Sequence, residues 1–163
     1  TKILKISFLN YPQRSWIRTM RRKVRETALQ VLFQMDLRKK SLSDILSVYK
    51  IPSNWKEDDR HFFLSLVRGV EKNLLAIEQI ISSYSLEWPL YRMPTVDRNL
   101  LRIAVFEMFY LPDISVSVSI NEAVELAKKY STNDSGKFIN GLLGKLAKNA
   151  EKEFSSMGIN EEK

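Results

Sequence analysis

The chain has 163 residues, 44% of them hydrophobic, one histidine and no cysteine. That suffices for a compact domain with a real core and excludes a disulfide frame or a thiolate zinc site. No apolar run nears the ~18 residues that cross a bilayer, and the opening, Ile3 to Leu9, is broken by Lys5 and Ser7 and lacks the small-residue cleavage site of a secretory signal. A cytoplasmic protein with no membrane partner is therefore expected.

The net charge of +7 is local. Lys2, Lys5, Arg14, Arg18, Arg21, Arg22, Lys23 and Arg25 all precede the first acid, Glu26, and taking these eight from +7 leaves −1 for the rest. A basic arm on a near-neutral body suggests a polyanion partner; the plainer alternative is a solvated tail. Residues 1–19 hold Pro12 and apolar residues without a clear period. We set them apart as an N-terminal extension, disordered or non-native, with Met20 a candidate start; a genuine extension is equally compatible with the sequence.

From Arg21 the apolar period is helical, with Val24, Ala28, Val31, Leu32 and Met35 on one face. Lys39 to Ser41 reads as a connection, and Leu42 to Tyr49 as a short helix closed by Pro52. Glu57 to Tyr84 is one long periodic stretch, with Phe62, Phe63, Leu66, Val67 and Val70 in its first half and Leu74, Ile77, Ile80, Ile81 and Tyr84 in its second. Gly69 inside it marks close packing. Trp88-Pro89 and Met93-Pro94 bracket a loop, because a residue before proline is pushed out of the helical region. Thr95 is expected to cap a helix carrying Leu100, Leu101, Ala104, Val105 and Met108, which Pro112 ends.

Ser115 to Ser119 alternates as a short strand would, but lacks a partner strand. We read it as the lead-in to a helix opening near Ser119, with Ser119 and Glu122 as a capping box and Ile120, Ala123, Val124, Ala127 and Tyr130 on its inner face. Asp134 or Ser135 is expected to cap the last helix, which carries Phe138, Ile139, Leu142, Leu143, Leu146 and Ala147 inward. Asn140-Gly141 is read as helix with a close contact at Gly141 rather than as a hairpin turn. Residues 151–163 form a polar tail. The sum is an all-α, compact bundle of about seven helices over residues 20–150.

Candidate chemistry is sparse, and no catalytic residue, metal or cofactor is expected. His61 has no cysteine to serve and reads as a surface or satisfied histidine. Glu57, Asp58 and Asp59 sit where acids favour the positive end of a helix. Ser135-Gly136-Lys137 fails the phosphate-loop pattern at Ser131 and Phe138. It leaves Lys137 in a first helical turn, where a cation and free N–H groups can hold a phosphate; Phe138 can stack a base or join the core beside Leu142. The strongest signal is Arg21-Arg22-Lys23-Val24-Arg25, cations at a helix start that oppose its dipole and call for another reason, such as phosphate contact. Arg98 and Arg102, four apart, share a face and either extend the basic surface or are solvated.

Three segments together resemble the NusB family of transcription antitermination factors. They are Val96-Asp97-Arg98-Asn99-Leu100-Leu101-Arg102-Ile103-Ala104 with Glu107, Ile120-Asn121-Glu122-Ala123-Val124-Glu125-Leu126-Ala127-Lys128-Lys129-Tyr130, and Asp134-Ser135-Gly136-Lys137-Phe138-Ile139-Asn140-Gly141-Leu142-Leu143. The opening Arg21 to Glu26, leading into Ala28-Leu29-Gln30, resembles the family too, and the likeness covers roughly Met20 to Ala150. It implies two small helical subdomains and no enzymatic activity. It also implies binding to the boxA element of nascent ribosomal RNA, together with the ribosomal protein NusE, in a complex that lets RNA polymerase resist termination; it admits a homodimer. By position it implies RNA contact for Arg21, Arg22, Lys23, Arg25, Arg98, Arg102, Lys137 and Phe138, and contact with NusE for Tyr84, Asp97, Tyr130 and Asp134. Arg22→Ala with Arg25→Ala is then expected to weaken RNA binding while the chain stays folded. The sequence departs from the family at Ser131 (often glycine), Ser115 (often proline) and Gly144 (often an acid).

Two alternatives stand beside this reading. One is the isolated RNA-binding domain of an RNA cytosine methyltransferase, whose α/β domain and catalytic cysteine are not in this sequence. The other is a helical adaptor that binds only protein and leaves the basic arm as a tail.

Overall fold

The structure, a computed structural model, describes the backbone of residues 2–156 and the side chains of residues 19–150. Over that range it is all helical: α1 Lys2–Arg38, α2 Leu42–Val48, α3 Glu57–Lys72, α4 Leu74–Tyr84, α5 Thr95–Tyr110, α6 Val116–Tyr130 and α7 Asn133–Ser156, with a 3-10 turn at Leu90–Arg92. The chain forms two compact units, residues 1–68 and 69–163, divided within α3.

In the first unit, α1 passes through Met20 without a break, so the expected boundary there is not an element end. The apolar face read from the sequence is buried at Val24, Ala28, Val31 and Leu32. α1 stops at Arg38 because Lys39 takes a positive φ of 54°, and the Lys40 N–H closes back on the Met35 carbonyl at 3.2 Å. Ser41 then caps α2 by accepting the Asp44 N–H at 3.1 Å. Leu42 and Ile45 bury its inner face. Trp55 meets Phe63 edge to face, with centroids 5.7 Å apart.

The long period from Glu57 to Tyr84 is interrupted at Asn73. Its side-chain amide donates to the Gly69 carbonyl at 2.8 Å, so side chain and backbone share one acceptor. Gly69 packs closely, as its position suggested: a Cβ there would lie 2.1–2.7 Å from the Phe106 ring.

The second unit packs α6 against both α5 and α7, with α4 against α5. Ile77, Ile81, Leu100, Leu101, Leu126, Ile139, Leu143 and Leu146 are fully buried at its centre, each worth ~1.5–3 kcal/mol by removal from water. Three expected caps differ. Thr95 is the first residue of α5, behind Pro94, and does not cap it. α6 opens at Val116 under Ser115, whose hydroxyl accepts the Val118 N–H. Ser119 is instead buried and donates to Glu107 Oε1 at 3.4 Å. α7 is capped by Thr132, whose Oγ1 accepts the Ser135 N–H at 3.0 Å. Period locates a helix to within a turn, whereas the cap is whichever hydroxyl the chain reversal leaves facing a free N–H. The close contact expected at Gly141 is absent: a Cβ there would meet nothing within 4 Å.

Candidate nucleic-acid interface

In the first unit, the cationic run lies inside α1 rather than at its start. The run therefore does not oppose the dipole of its helix as its position in the sequence suggested, since that effect fades beyond the first turn. Helical spacing puts Arg21 and Arg25 on one face and over one ring. Their guanidinium carbons stand 4.3 and 5.2 Å from the centroid of Phe62. Phe62, read from sequence only as a core position, is thus the platform of the run. Arg25 is 3% exposed, so it is part of the packed interior. Arg21 and Arg22 are half-buried, and Lys23 is exposed.

In the second unit, Arg98 and Arg102 follow each other on α5 as expected, but their settings differ. Arg102 donates to Glu78 Oε1 at 2.6 Å and to Asn99 Oδ1 at 2.9 Å, with its side chain 11% exposed. Its charge is compensated across α4 and α5. Arg98 is half-buried in the first turn of α5. Lys137 is exposed, and because α7 starts at Asn133 it belongs to the second turn, beyond the free N–H groups of the first. Phe138 is half-buried and meets Trp88 edge to face at 4.7 Å. It is neither sealed in the core nor fully presented.

The residues carried over as protein contacts also divide. Tyr130, at the end of α6, is 40% exposed, with the Lys129 ammonium 5.1 Å from its ring centroid. Asp134 is exposed in the first turn of α7, and Tyr84 is half-buried at the end of α4. Asp97 is fully buried: its Oδ2 accepts the Ser135 hydroxyl at 2.6 Å. Sequence reading missed Ser131, Thr132 and Ser135 as a group. Their polar run ahead of a helix is a capping signal, but their meeting with Asp97 is a tertiary contact.

Among the described residues, no three His, Cys, Asp or Glu side chains gather as a metal site would require. No helix there is long and apolar enough to cross a membrane. His61 is exposed on α3.

Fold and site together define an all-helical, two-unit protein that presents basic and aromatic side chains. The sequence profile of the NusB family matches residues 22–148. The transcription antitermination protein NusB of Salinispora tropica is 47% identical over 132 residues, covering 80% of this chain and 96% of that protein. That of Desulforapulum autotrophicum is 44% identical, covering 77% and 90%. Among solved structures, NusB of T. maritima matches with TM-score 0.74 and 38% identity over 78% of this chain and 90% of that one. A crystal structure of the antitermination factors NusB and NusE with dsRNA matches with TM-score 0.69 and 27% identity over 80% and 98%. The chain belongs to the NusB family.

Proposed function

We propose that this protein is a non-enzymatic, cytoplasmic transcription antitermination factor that binds boxA RNA of nascent ribosomal transcripts together with the ribosomal protein NusE. The observation that carries the reading is the match, over 80% of the chain, to a NusB solved with NusE and dsRNA. The exposed and half-exposed cations agree with it. Arg21, Arg22 and Lys23 supply phosphate contacts in the first unit; in the second, Arg98 and Lys137 do so, with Phe138, next to Lys137 in the chain, as a stacking group. Arg25 and Arg102, being packed, each hold the shape of their own unit. Tyr130 and Asp134, with Tyr84, form the NusE-facing side, where a rim acid steers a basic ribosomal protein and a tyrosine buries area. Residues 20–150 are the functional domain, flanked by an extension and a polar tail. Neither alternative reading gains from these relatives, which are NusB proteins.

The test is fluorescence anisotropy of a labelled boxA RNA against a scrambled RNA, with the protein alone and with NusE, at two salt concentrations. Selective binding that tightens with NusE and weakens steeply with salt is the expected result. Binding indifferent to sequence and to NusE would return the chain to the adaptor reading.

A further inference from the structure

Asp97 is 0% exposed, which is incompatible with a direct charged contact to a partner. What it touches is the turn between α6 and α7. Its Oδ2 accepts the Ser135 hydroxyl at 2.6 Å. The Ser135 Oγ lies 3.0 Å from the hydroxyl oxygens of both Ser131 and Thr132, and its N–H is taken by Thr132 Oγ1, also at 3.0 Å. The direction of these bonds follows from chemistry. A carboxylate only accepts, so the Ser135 proton is committed to Asp97, and Ser131 and Thr132 must both donate to Ser135. One buried carboxylate on α5 therefore orients three hydroxyls in succession. Ser131 and Thr132 lie between Tyr130, the last residue of α6, and the start of α7, and Ser135 follows Asp134 in the first turn of α7; Tyr130 and Asp134 are both exposed.

We infer that Asp97 is a positioning residue: it fixes the α6–α7 turn in the pose that presents Tyr130 and Asp134 to the basic protein partner, and touches no partner itself. The inference rests on the NusE-facing surface proposed above. A network of this kind is worth more than isolated pairs, because each bond sets the direction of the next and its Asp97–Ser135 end is buried. It also predicts an asymmetry between two substitutions at one site. Asparagine keeps an oxygen for the Ser135 proton but buries its N–H donors in the place of Oδ1, which has no hydrogen-bond partner among the described residues, so it preserves the direction of the network at some cost. Alanine removes the acceptor altogether. A residue that met the partner through its charge would lose as much with asparagine as with alanine.

The experiment measures NusE affinity, boxA affinity and backbone amide exchange at residues 131–135 for Asp97→Asn, Asp97→Ala and Ser135→Ala, with Tyr130→Ala and Asp134→Ala as controls. Positioning predicts that Asp97→Ala and Ser135→Ala weaken NusE binding by roughly tenfold, the scale of one charge-assisted hydrogen bond, and speed exchange in the turn. Asp97→Asn loses clearly less than Asp97→Ala in both, and RNA binding in the absence of NusE changes little throughout. Equal loss with asparagine and alanine, or unchanged exchange in Asp97→Ala, overturns the inference. If the Tyr130 and Asp134 controls bind NusE normally, it is the partner surface that fails. The exchange data then still decide whether Asp97 holds the turn.

Discussion

Arg102 and Glu78 form an ion pair between α5 and α4, Nη2 to Oε1 at 2.6 Å, with the arginine side chain 11% exposed and the glutamate 31%. A phosphate competing for this guanidinium would have to displace a carboxylate already in place. Arg102→Ala is therefore expected to cost about 1–3 kcal/mol of stability in urea unfolding, after discounting for the partly exposed partner. It should change the salt dependence of RNA binding by less than the roughly one slope unit expected for a phosphate-contacting lysine.

The cationic run on α1 should separate by burial. Arg22→Ala with Lys23→Ala is expected to lower the slope of log affinity against log salt by roughly 1.4–1.8 with little change in Tm. Arg25→Ala should lower stability by about 1–3 kcal/mol, because a buried guanidinium stem and its contact with Phe62 are lost together. The pair Arg22→Ala with Arg25→Ala, which the sequence suggested would leave folding intact, is now expected to lower both RNA affinity and Tm. Thermal unfolding beside anisotropy on the same samples checks all three.

Glycines of opposite consequence sit at Gly69 and Gly141. Gly69→Ala drives a methyl into the Phe106 ring, which is itself stacked on Tyr110 at 5.2 Å, and should destabilise by about 1–3 kcal/mol. Gly141→Ala places its methyl in open space within α7 and should stabilise by about 0.5–1 kcal/mol through helix propensity. Opposite shifts of the denaturant midpoint are the expected reading.

Cap and contact can be told apart at the start of α7. Thr132→Ala removes the cap and should cost about 0.5–2 kcal/mol. Asp134→Asn loses only an exposed charge in the first turn, about 0.3–1 kcal/mol. Its larger effect should fall on NusE binding rather than on RNA binding, measured by titrating each partner separately.

The helices were largely legible because burial of an apolar stripe imposes its own period. Val24, Ala28, Val31 and Leu32, or Ile139, Leu142, Leu143 and Leu146, face inward as their spacing required. What spacing did not reveal was the break at Asn73, where the backbone turns to φ −108°, ψ 18° and the side-chain amide joins its own N–H on the Gly69 carbonyl. Nor did it find the caps, naming Ser119 and Asp134 or Ser135 where Ser115 and Thr132 serve. Each has the right oxygen, and only the path of the chain brings two of them to a free N–H.

The candidate site divides along the same line. The sequence alone determined that positive charge gathers ahead of Glu26, that the chain is helical, and that its motifs are those of the NusB family, because charge, period and motif are local properties of the chain. Which of those cations meets solvent was decided only by the tertiary structure. Arg21, Arg25, Arg98 and Arg102 are the same residue type in similar helical settings. Phe62 and the interior around Arg25 withdraw one of them, and Glu78 neutralises another. Burial and pairing depend on what the fold brings alongside from far along the chain, and for Asp97 that was Ser135.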